Sequence, residues 1–380
     1  MIMEYQEKGK YFAVVAGSLE ALAKAELEEL GATVLQEVPR GMRFQCDPRT
    51  LYRVVYCSRM LQRVLAPLAS FRCHSEDYLY KQARQAVDWT ALFPPEESFG
   101  IDSTVARSKI SHSLYAGQLL KDAICDSFRE KYGRRPDFAS SGARIGFNLH
   151  ISDNWATVSL DLTGSMHKRG YRQEAVAAPL QETLAAALVR LSKWQGDRPL
   201  EDPMCGSGTI LAEALILYTR TPAAFLRQDL GITYLPDYDP SLWQKVKTDA
   251  DKEIRPLPPG LIRGSDINPG SVAIARNNLA ALPGGENVEL QVSRFQDLPS
   301  RPEMCVICNP PYGVRLGDSG ATVRLYNELG DFLKQKRPRG EAYVLCGSRE
   351  LVPALRLRAY WKKRLKNGDL DVVFAKILLR

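Results

Sequence analysis

The sequence predicts an α/β protein whose second half is a mostly parallel, doubly wound sheet, preceded by two smaller α+β units. Three observations carry that prediction. The 380 residues are too many for one ordinary domain. From about residue 165, short β-rich apolar runs alternate with segments of helical periodicity, as when a parallel sheet is covered on both faces. One of these runs, RPLEDP (198–203), enters a glycine loop that leads directly into the helix SGTILAEALILYT (207–219).

The elements follow in order. YFAVVA (11–16) is a strand, and SLEALAKAELEEL (18–30) is an amphipathic helix with Ser18 expected as its N-cap and Gly31 as its stop. ATVLQEV and GMRFQCD are further strands, and DPRTLYRVVYCSRM opens a helix with Asp47 as cap and Pro48 at its first position. This first unit is expected to cover residues 1–66. The second, 67–164, contains the alternating strand SFGIDSTVAR, the helix 111–133 and the alternating NWATVSLDLTG. In the third, 165–380, LIRGSDI, NVELQVS, MCVICNPP and EAYVLCG continue the sheet, with NPGSVAIARNNLAAL and TVRLYNELGDFLKQK as helices. The Pro-rich stretch 219–260 reads as an insertion between the first helix and the second strand.

Composition narrows the class. Hydrophobic residues make up 45% and charged residues 25%, enough to build real cores. Lys plus Arg number 51 against 44 acidic residues, a net charge of +7, which permits a nucleic-acid partner without arguing for one. Only Cys305 and Cys308 form a CxxC, inside the apolar run MCVIC and far from all four histidines, so buried thiols are expected and a metal site is not. The first residues lack a signal-peptide core, and no run of about 18 apolar residues occurs, so a cytoplasmic protein without a membrane partner is expected.

The chemistry is expected in the last half. Asp202-Pro203-Met204-Cys205-Gly206-Ser207-Gly208-Thr209 places an acid at a strand end, followed by two glycines and a helix. No Lys follows the second glycine, as a phosphate loop would need, and Leu211 stands where a dinucleotide fingerprint wants its third glycine. An acidic loop of this kind suits a ligand that carries an amine and no phosphate. Asp266, at the end of the second strand and followed by Ile267, is placed to accept from ribose hydroxyls, and Asp297 to meet an adenine amino group.

The fourth motif, Asn309-Pro310-Pro311-Tyr312-Gly313, follows the strand MCVIC directly. An exocyclic base amine is a poor nucleophile, because its lone pair is delocalised into the ring. The Asn309 side-chain oxygen and the Pro310 carbonyl can accept both of its N–H groups, and the two prolines hold those acceptors in one direction. Tyr312 supplies a face for stacking the base. The chemistry then consists mostly of alignment.

These motifs, together with 165–194 (SMHKRGYRQEAVAAPLQETLAAALVRLSKW) and RSKISHSLYAGQLLKDAI, resemble the THUMP-containing RNA guanine-N2 methyltransferases, the family that includes makers of N2-methylguanine in 23S ribosomal RNA. The resemblance runs from about residue 10 to at least 350. It implies a ferredoxin-like N-terminal domain, an RNA-binding THUMP domain and a Rossmann-like class I methyltransferase domain that uses S-adenosylmethionine. Position by position it implies that Asp202, Pro203, Cys205, Gly206, Gly208 and Thr209 line the methionine end, with Pro179 and Glu182 bordering the cofactor. Asp266 and Ile267 would hold the ribose side and Asp297 the adenine, while Asn309, Pro310, Pro311 and Tyr312 would hold the target base. Some relatives carry a second methyltransferase domain, and any second activity of such fusions is not expected here.

Arg107, Lys109, Lys121, Arg134 and Arg135 form a basic stretch that charge alone reads as a solvated face. The THUMP resemblance implies RNA contact there. Lys362, Lys363, Arg364 and Lys366 form a second cluster near the C-terminus. Ribosomal RNA is the expected partner. Transfer RNA, adenine N6 as the acceptor, and a non-catalytic RNA-binding or assembly protein remain open alternatives.

Overall fold

The computed structural model describes residues 3–172, 180–312 and 319–380, and it divides into two compact units. The first comprises Met1–Val15, Ala23–Met166 and Arg227–Lys247; the second comprises Ala16–Leu22, His167–Leu226 and Thr248–Arg380.

The first unit holds a seven-stranded sheet built from β1 (Lys10–Val15), β2 (Thr33–Val38), β3 (Gly41–Gln45), β4 (Leu61–Arg72), β5 (Phe99–Ala106), β6 (Ile145–Ser152) and β7 (Trp155–Asp161). Their spatial order is β2-β3-β1-β4-β7-β6-β5, and only β5 and β6 run parallel. The 12-residue β4 pairs with β1 along its first half and with β7 along its second, so residues 66 and 67 are neighbours within one strand. Pro67 cannot donate to a ladder, and the register shifts between Pro67 and Ala69, which absorbs the missing N–H.

Local chemistry sets the helix ends in this unit. Asp47 caps Pro48–Cys57 by accepting from the Thr50 N–H at 2.7 Å. Ser18 does not cap the next element: it has φ +69°, its hydroxyl donates back to the Gly17 carbonyl, and the helix begins only at Glu20. The helix Ser113–Tyr132 stops at Gly133, which adopts φ +67°. Glu26, though buried, is satisfied by the Ser58 hydroxyl at 2.6 Å and by the N–H groups of Arg59 and Met60, both at 3.0 Å.

Residues 227–247 were expected to belong with the C-terminal sheet, yet they complete this first unit. Trp243 meets Tyr52 edge-on at 5.6 Å between ring centroids, and the Tyr52 oxygen accepts from the Asp239 N–H at 2.8 Å. The Tyr5 hydroxyl donates to Asp237 at 2.5 Å.

The second unit has the expected α/β architecture. Its strands are β8 (Leu200–Asp202), β9 (Ile262–Asp266), β10 (Glu289–Val292), β11 (Cys305–Cys308), β12 (Glu341–Cys346), β13 (Ala359–Asn367) and β14 (Leu370–Leu378), in the order β10-β9-β8-β11-β12-β14-β13. The first five are parallel, and β14 runs antiparallel to both neighbours. The terminal hairpin of β13 and β14 was not anticipated. Chain order reverses between β8 and β11, which opens a crevice beyond the carboxyl ends of those two strands. Cys305 and Cys308 are buried in β11, and no metal-ligand cluster occurs among the described residues. Nor is any described helix long and apolar enough to cross a membrane.

A buried ion pair ties β8 to the helix Ser319–Lys336. Arg337 just beyond that helix is fully buried, and its Nη2 donates to Glu201 Oε1 at 2.8 Å while its Nε reaches Oε2. Its Nη1 caps two carbonyls, Pro299 at 2.8 Å and Lys336 at 2.7 Å. Removing one partner of such a pair strands the other charge out of water. Glu201→Ala is expected to lower the unfolding free energy of this unit by about 3–5 kcal/mol, measured from the midpoint of urea unfolding; a change within about 0.5 kcal/mol would contradict this account.

Candidate active site

The crevice is built first from the loop after β8. The Cys205 N–H donates to the Ser265 carbonyl at 2.9 Å, and the Gly208 N–H to the Cys205 carbonyl at 2.8 Å, so the loop is pinned to β9 and closes on itself before the helix Thr209–Thr219 begins. Gly206 adopts φ +52°, and a β-carbon there would project into open space. The position therefore suits glycine for its backbone and leaves room for a ligand above it. Pro203 is buried, and its carbonyl accepts from the Ser265 hydroxyl at 3.3 Å.

Asp266 completes this half. One carboxylate oxygen accepts from the Gly206 N–H at 2.9 Å and the other from the Asn268 N–H at 2.9 Å. Both oxygens are thus oriented, and each keeps a free lone pair for vicinal hydroxyls. Beside it, Ile267 is 66% exposed, an apolar shelf next to a charged acceptor. Asp202, at the end of β8, is almost fully buried and accepts from the Met204 N–H at 3.2 Å. Burial pushes its carboxyl well above the usual range, and the neighbouring Asp266 and Glu201 add to that rise. Cys205 is a buried thiol, also pushed up by burial. Asp297 is exposed after β10 in a one-turn segment anchored by Phe295 on Phe332, at 5.5 Å between rings. Among the described residues, no hydrogen bond joins its side chain to the rest of the set.

The second half follows β11, the strand next to β8. Pro310 is buried and Pro311 exposed. The Tyr312 hydroxyl donates to Asn309 Oδ1 at 2.6 Å and accepts from Asn367 Nδ2 at 3.3 Å. Tyr312 is therefore less open than its expected stacking role suggests, and burial raises its hydroxyl to about 12. It lies over the end of β12, where a β-carbon on Gly347 would sit 2.5 Å from the Tyr312 β-carbon. Gly313 lies outside the described residues.

Sequence reasoning missed Asn367, at the far end of β13, and Arg172. Glu182 and Thr209 do come together, but through Arg172. Its guanidinium lies 3.3 Å from the buried Glu182 carboxylate and donates to Thr209 Oγ1 at 3.0 Å and the Leu180 carbonyl at 3.1 Å. Burial raises the Glu182 carboxyl, with Arg172 opposing. Arg172 lies within the 165–194 stretch with no role implied for it there, and Asn367 lies in no motif; three-dimensional contact reveals both. Pro179 lies outside the described residues.

In the first unit, three of the five basic candidates carry acidic partners. Arg107 clasps Asp153 with two contacts of 2.9 Å, Lys121 lies 3.3 Å from Asp122, and Arg134 pairs with Glu96. Lys109 and Arg135 are exposed. Arg107 and Lys109 lie in the connection after β5, Lys121 in the middle of the helix Ser113–Tyr132, and Arg134 and Arg135 just beyond its end.

A nucleoside carrying an amine fits the first half of the site. The Asp266 acceptors suit ribose hydroxyls, the Ile267 shelf suits a base, the space over Gly206 admits a chain, and Asp202 supplies an acid near it. The model of the RMKL-like methyltransferase domain matches residues 169–376, that of the THUMP domain residues 73–161, and that of the RlmL ferredoxin-like domain residues 10–65. A relative from Synechocystis sp. (strain ATCC 27184 / PCC 6803 / Kazusa), provisionally named RNA methyltransferase slr0064, is 35% identical over 368 residues, 96% of each chain. The crystal structure of SMU.472, a provisionally assigned methyltransferase complexed with SAH, superposes with a TM-score of 0.86 at 27% identity and covers 100% of this chain and 99% of that one. A Listeria monocytogenes str. 4b F2365 protein, described as a predicted N6-adenine-specific DNA methylase, gives 0.84 at 27% identity over 98% and 97%.

Asp202 makes a testable conflict between stability and binding. Its folded-state carboxyl titrates above the unfolded value, so its favourable contribution is complete below the unfolded range and is lost as pH rises through the folded one. Because that decline begins at the unfolded range, the wild-type chain has less of this contribution at pH 7 than near pH 4. Asp202→Asn is expected to raise the melting temperature of the ligand-free protein at pH 7, with the gain vanishing near pH 4; a lower melting temperature at pH 7 would refute the burial argument.

Proposed function

The chain belongs to the RMKL-like methyltransferase family, with ferredoxin-like and THUMP domains ahead of its methyltransferase domain, and from that premise we propose that it methylates the exocyclic N2 of a guanine in structured RNA, with 23S ribosomal RNA as substrate. We further propose 1–66, 67–164 and 165–380 as the sequence modules of that architecture, across which the two compact units are built, with β4 spanning the first boundary and 227–247 packing in the first unit. The observation that carries the reading is the placement of Asn309-Pro310-Pro311-Tyr312 after β11, one strand away from the Asp202–Gly206–Asp266 end of β8 and β9.

S-adenosylmethionine, the cofactor, supplies an electrophilic methyl group when bound. Asp266 would hold its ribose hydroxyls, Ile267 and Asp297 would flank its adenine, and Asp202, Pro203, Cys205, Gly206, Gly208 and Thr209 would line its methionine end. Arg172 and Glu182 brace that loop from behind through Thr209. On the substrate side, Asn309 Oδ1 and the Pro310 carbonyl accept the two N–H groups of the target amine and hold its nitrogen toward the methyl group. The Tyr312 ring bounds the base. No general base is required, because the amine becomes acidic as the new bond forms.

Lys109 and Arg135 would meet phosphate directly. Arg107, Lys121 and Arg134 would do so by exchanging their carboxylate partners for phosphate, which makes binding salt-dependent and indifferent to sequence. A second reading, adenine N6, is favoured by one observation: the Listeria relative is described as acting on that amine. The pair of acceptors serves either base.

The deciding experiment transfers labelled methyl from S-adenosylmethionine to ribosomal and transfer RNA from cells lacking this protein, followed by nucleoside analysis. N2-methylguanosine in large-subunit RNA is expected; N6-methyladenosine or label confined to transfer RNA would overturn the substrate. Asn309→Ala is expected to retain cofactor affinity and lose about 100-fold in kcat, whereas unaltered turnover would remove it from the reaction. Asp266→Ala is expected to weaken cofactor binding about tenfold or more in calorimetry, and an unchanged Kd would place the ribose elsewhere.

A further inference from the structure

Resting on that reading, we propose that Asn367 is a positioning residue for methyl transfer: acting through Tyr312, it fixes which end of the Asn309 carboxamide faces the target amine. A carboxamide is nearly symmetric in shape, and a half-turn exchanges its oxygen for its NH2 group. Only the oxygen can accept from an amine. The wrong end would set donor against donor, with nothing gained and both groups desolvated.

With the Asn367 amide nitrogen turned toward Tyr312, as the structure places it, the relay closes in one direction. Asn367 Nδ2 can only donate, and it lies 3.3 Å from the Tyr312 oxygen, which therefore accepts. The hydroxyl has one proton, and its remaining neighbour is Asn309 Oδ1 at 2.6 Å. If the Asn309 amide were reversed, the hydroxyl would face two donors and its own proton would find no acceptor in the relay. With the oxygen inward the relay is complete, and Tyr312 takes only one of its two lone pairs. The other is left for the target amine. Gly347 permits the relay, since any β-carbon there would crowd Tyr312 out of place.

Asn367 also has a structural occupation that the test must separate. It ends β13 at the turn into β14, opposite Leu370 and ahead of Gly368 at φ +61°. Asp serves such turns as well as Asn and is the same size, but its carboxylate accepts and cannot donate. In Asn367→Asp the Tyr312 proton is drawn to residue 367, and the Asn309 amide is released to turn.

The test is a kinetic cycle with Asn367→Asp, Tyr312→Phe and the double variant, using S-adenosylmethionine and ribosomal RNA. Asn367→Asp is expected to lower kcat about tenfold at pH 8, with KM for RNA, Kd for the cofactor and the melting temperature unchanged. Its kcat recovers relative to wild type as pH falls and the new carboxyl takes up a proton. In the Tyr312→Phe background the same substitution has no further effect. Equal losses in both backgrounds, a loss confined to KM, or full activity in Asn367→Asp would each overturn the relay while leaving amine methylation standing. A wild-type product methylated on carbon or a hydroxyl would overturn the amine reading, and the relay with it.

Discussion

Strand β8 is three residues long, and the second unit is organised around it. It lies between β9 and β11, at the point where chain order reverses. Glu201 in its middle is held by the buried guanidinium of Arg337, and Asp202 at its end is buried with its carboxyl pushed well up by that burial. So short a strand offers few ladder bonds of its own, and the charge pair supplies the purchase that three residues of backbone cannot. Two carboxylates in succession then have opposite fates. One is satisfied by a guanidinium, while the other is buried with a single main-chain donor, the Met204 N–H.

The same contrast appears in the two halves of the site. Around Gly206 the backbone does most of the work: loop N–H groups and carbonyls lock onto β9, and Asp266 is oriented by two main-chain donors. Around Asn309 the work passes to side chains from two strand ends, Asn309 and Tyr312 after β11 and Asn367 at the end of β13, with Gly347 after β12 leaving room for the ring. A backbone-built half suits a ligand that is always the same molecule. A half built from side chains suits one that is selected.

This division also explains what could be read in advance. The acid–glycine loop, Asp266 at a strand end and the proline-rich turn are local patterns, because backbone geometry imposes residue types at short spacing. The α/β alternation is equally local, and it predicted the five parallel strands. Asn367 escaped because it acts across the fold, on a tyrosine 55 residues upstream, and Arg172 because its link to Thr209 joins two separate segments. Strand β13 was hidden by its charge: Lys362, Lys363, Arg364 and Lys366 were read only as a basic cluster, yet lysines are what an edge strand carries to discourage pairing. Ser18 was misread for a simpler reason. It has a capping side chain, but φ +69° places it in the turn before the helix.

The course of residues 227–247 has a consequence for how this chain can be taken apart. The first unit is not finished at Met166, since Asp237, Asp239 and Trp243 reach it only after the chain has already built the loop and first helix of the second. A ribosome releasing this protein residue by residue therefore cannot complete the amino-terminal unit before it has begun the carboxyl-terminal one. For the same reason no single cut yields two whole pieces. A fragment ending at Met166 would expose the ring of Tyr52 that Trp243 covers, and its complement would carry a strap with nothing to hold. In this protein the two units are interleaved along the chain.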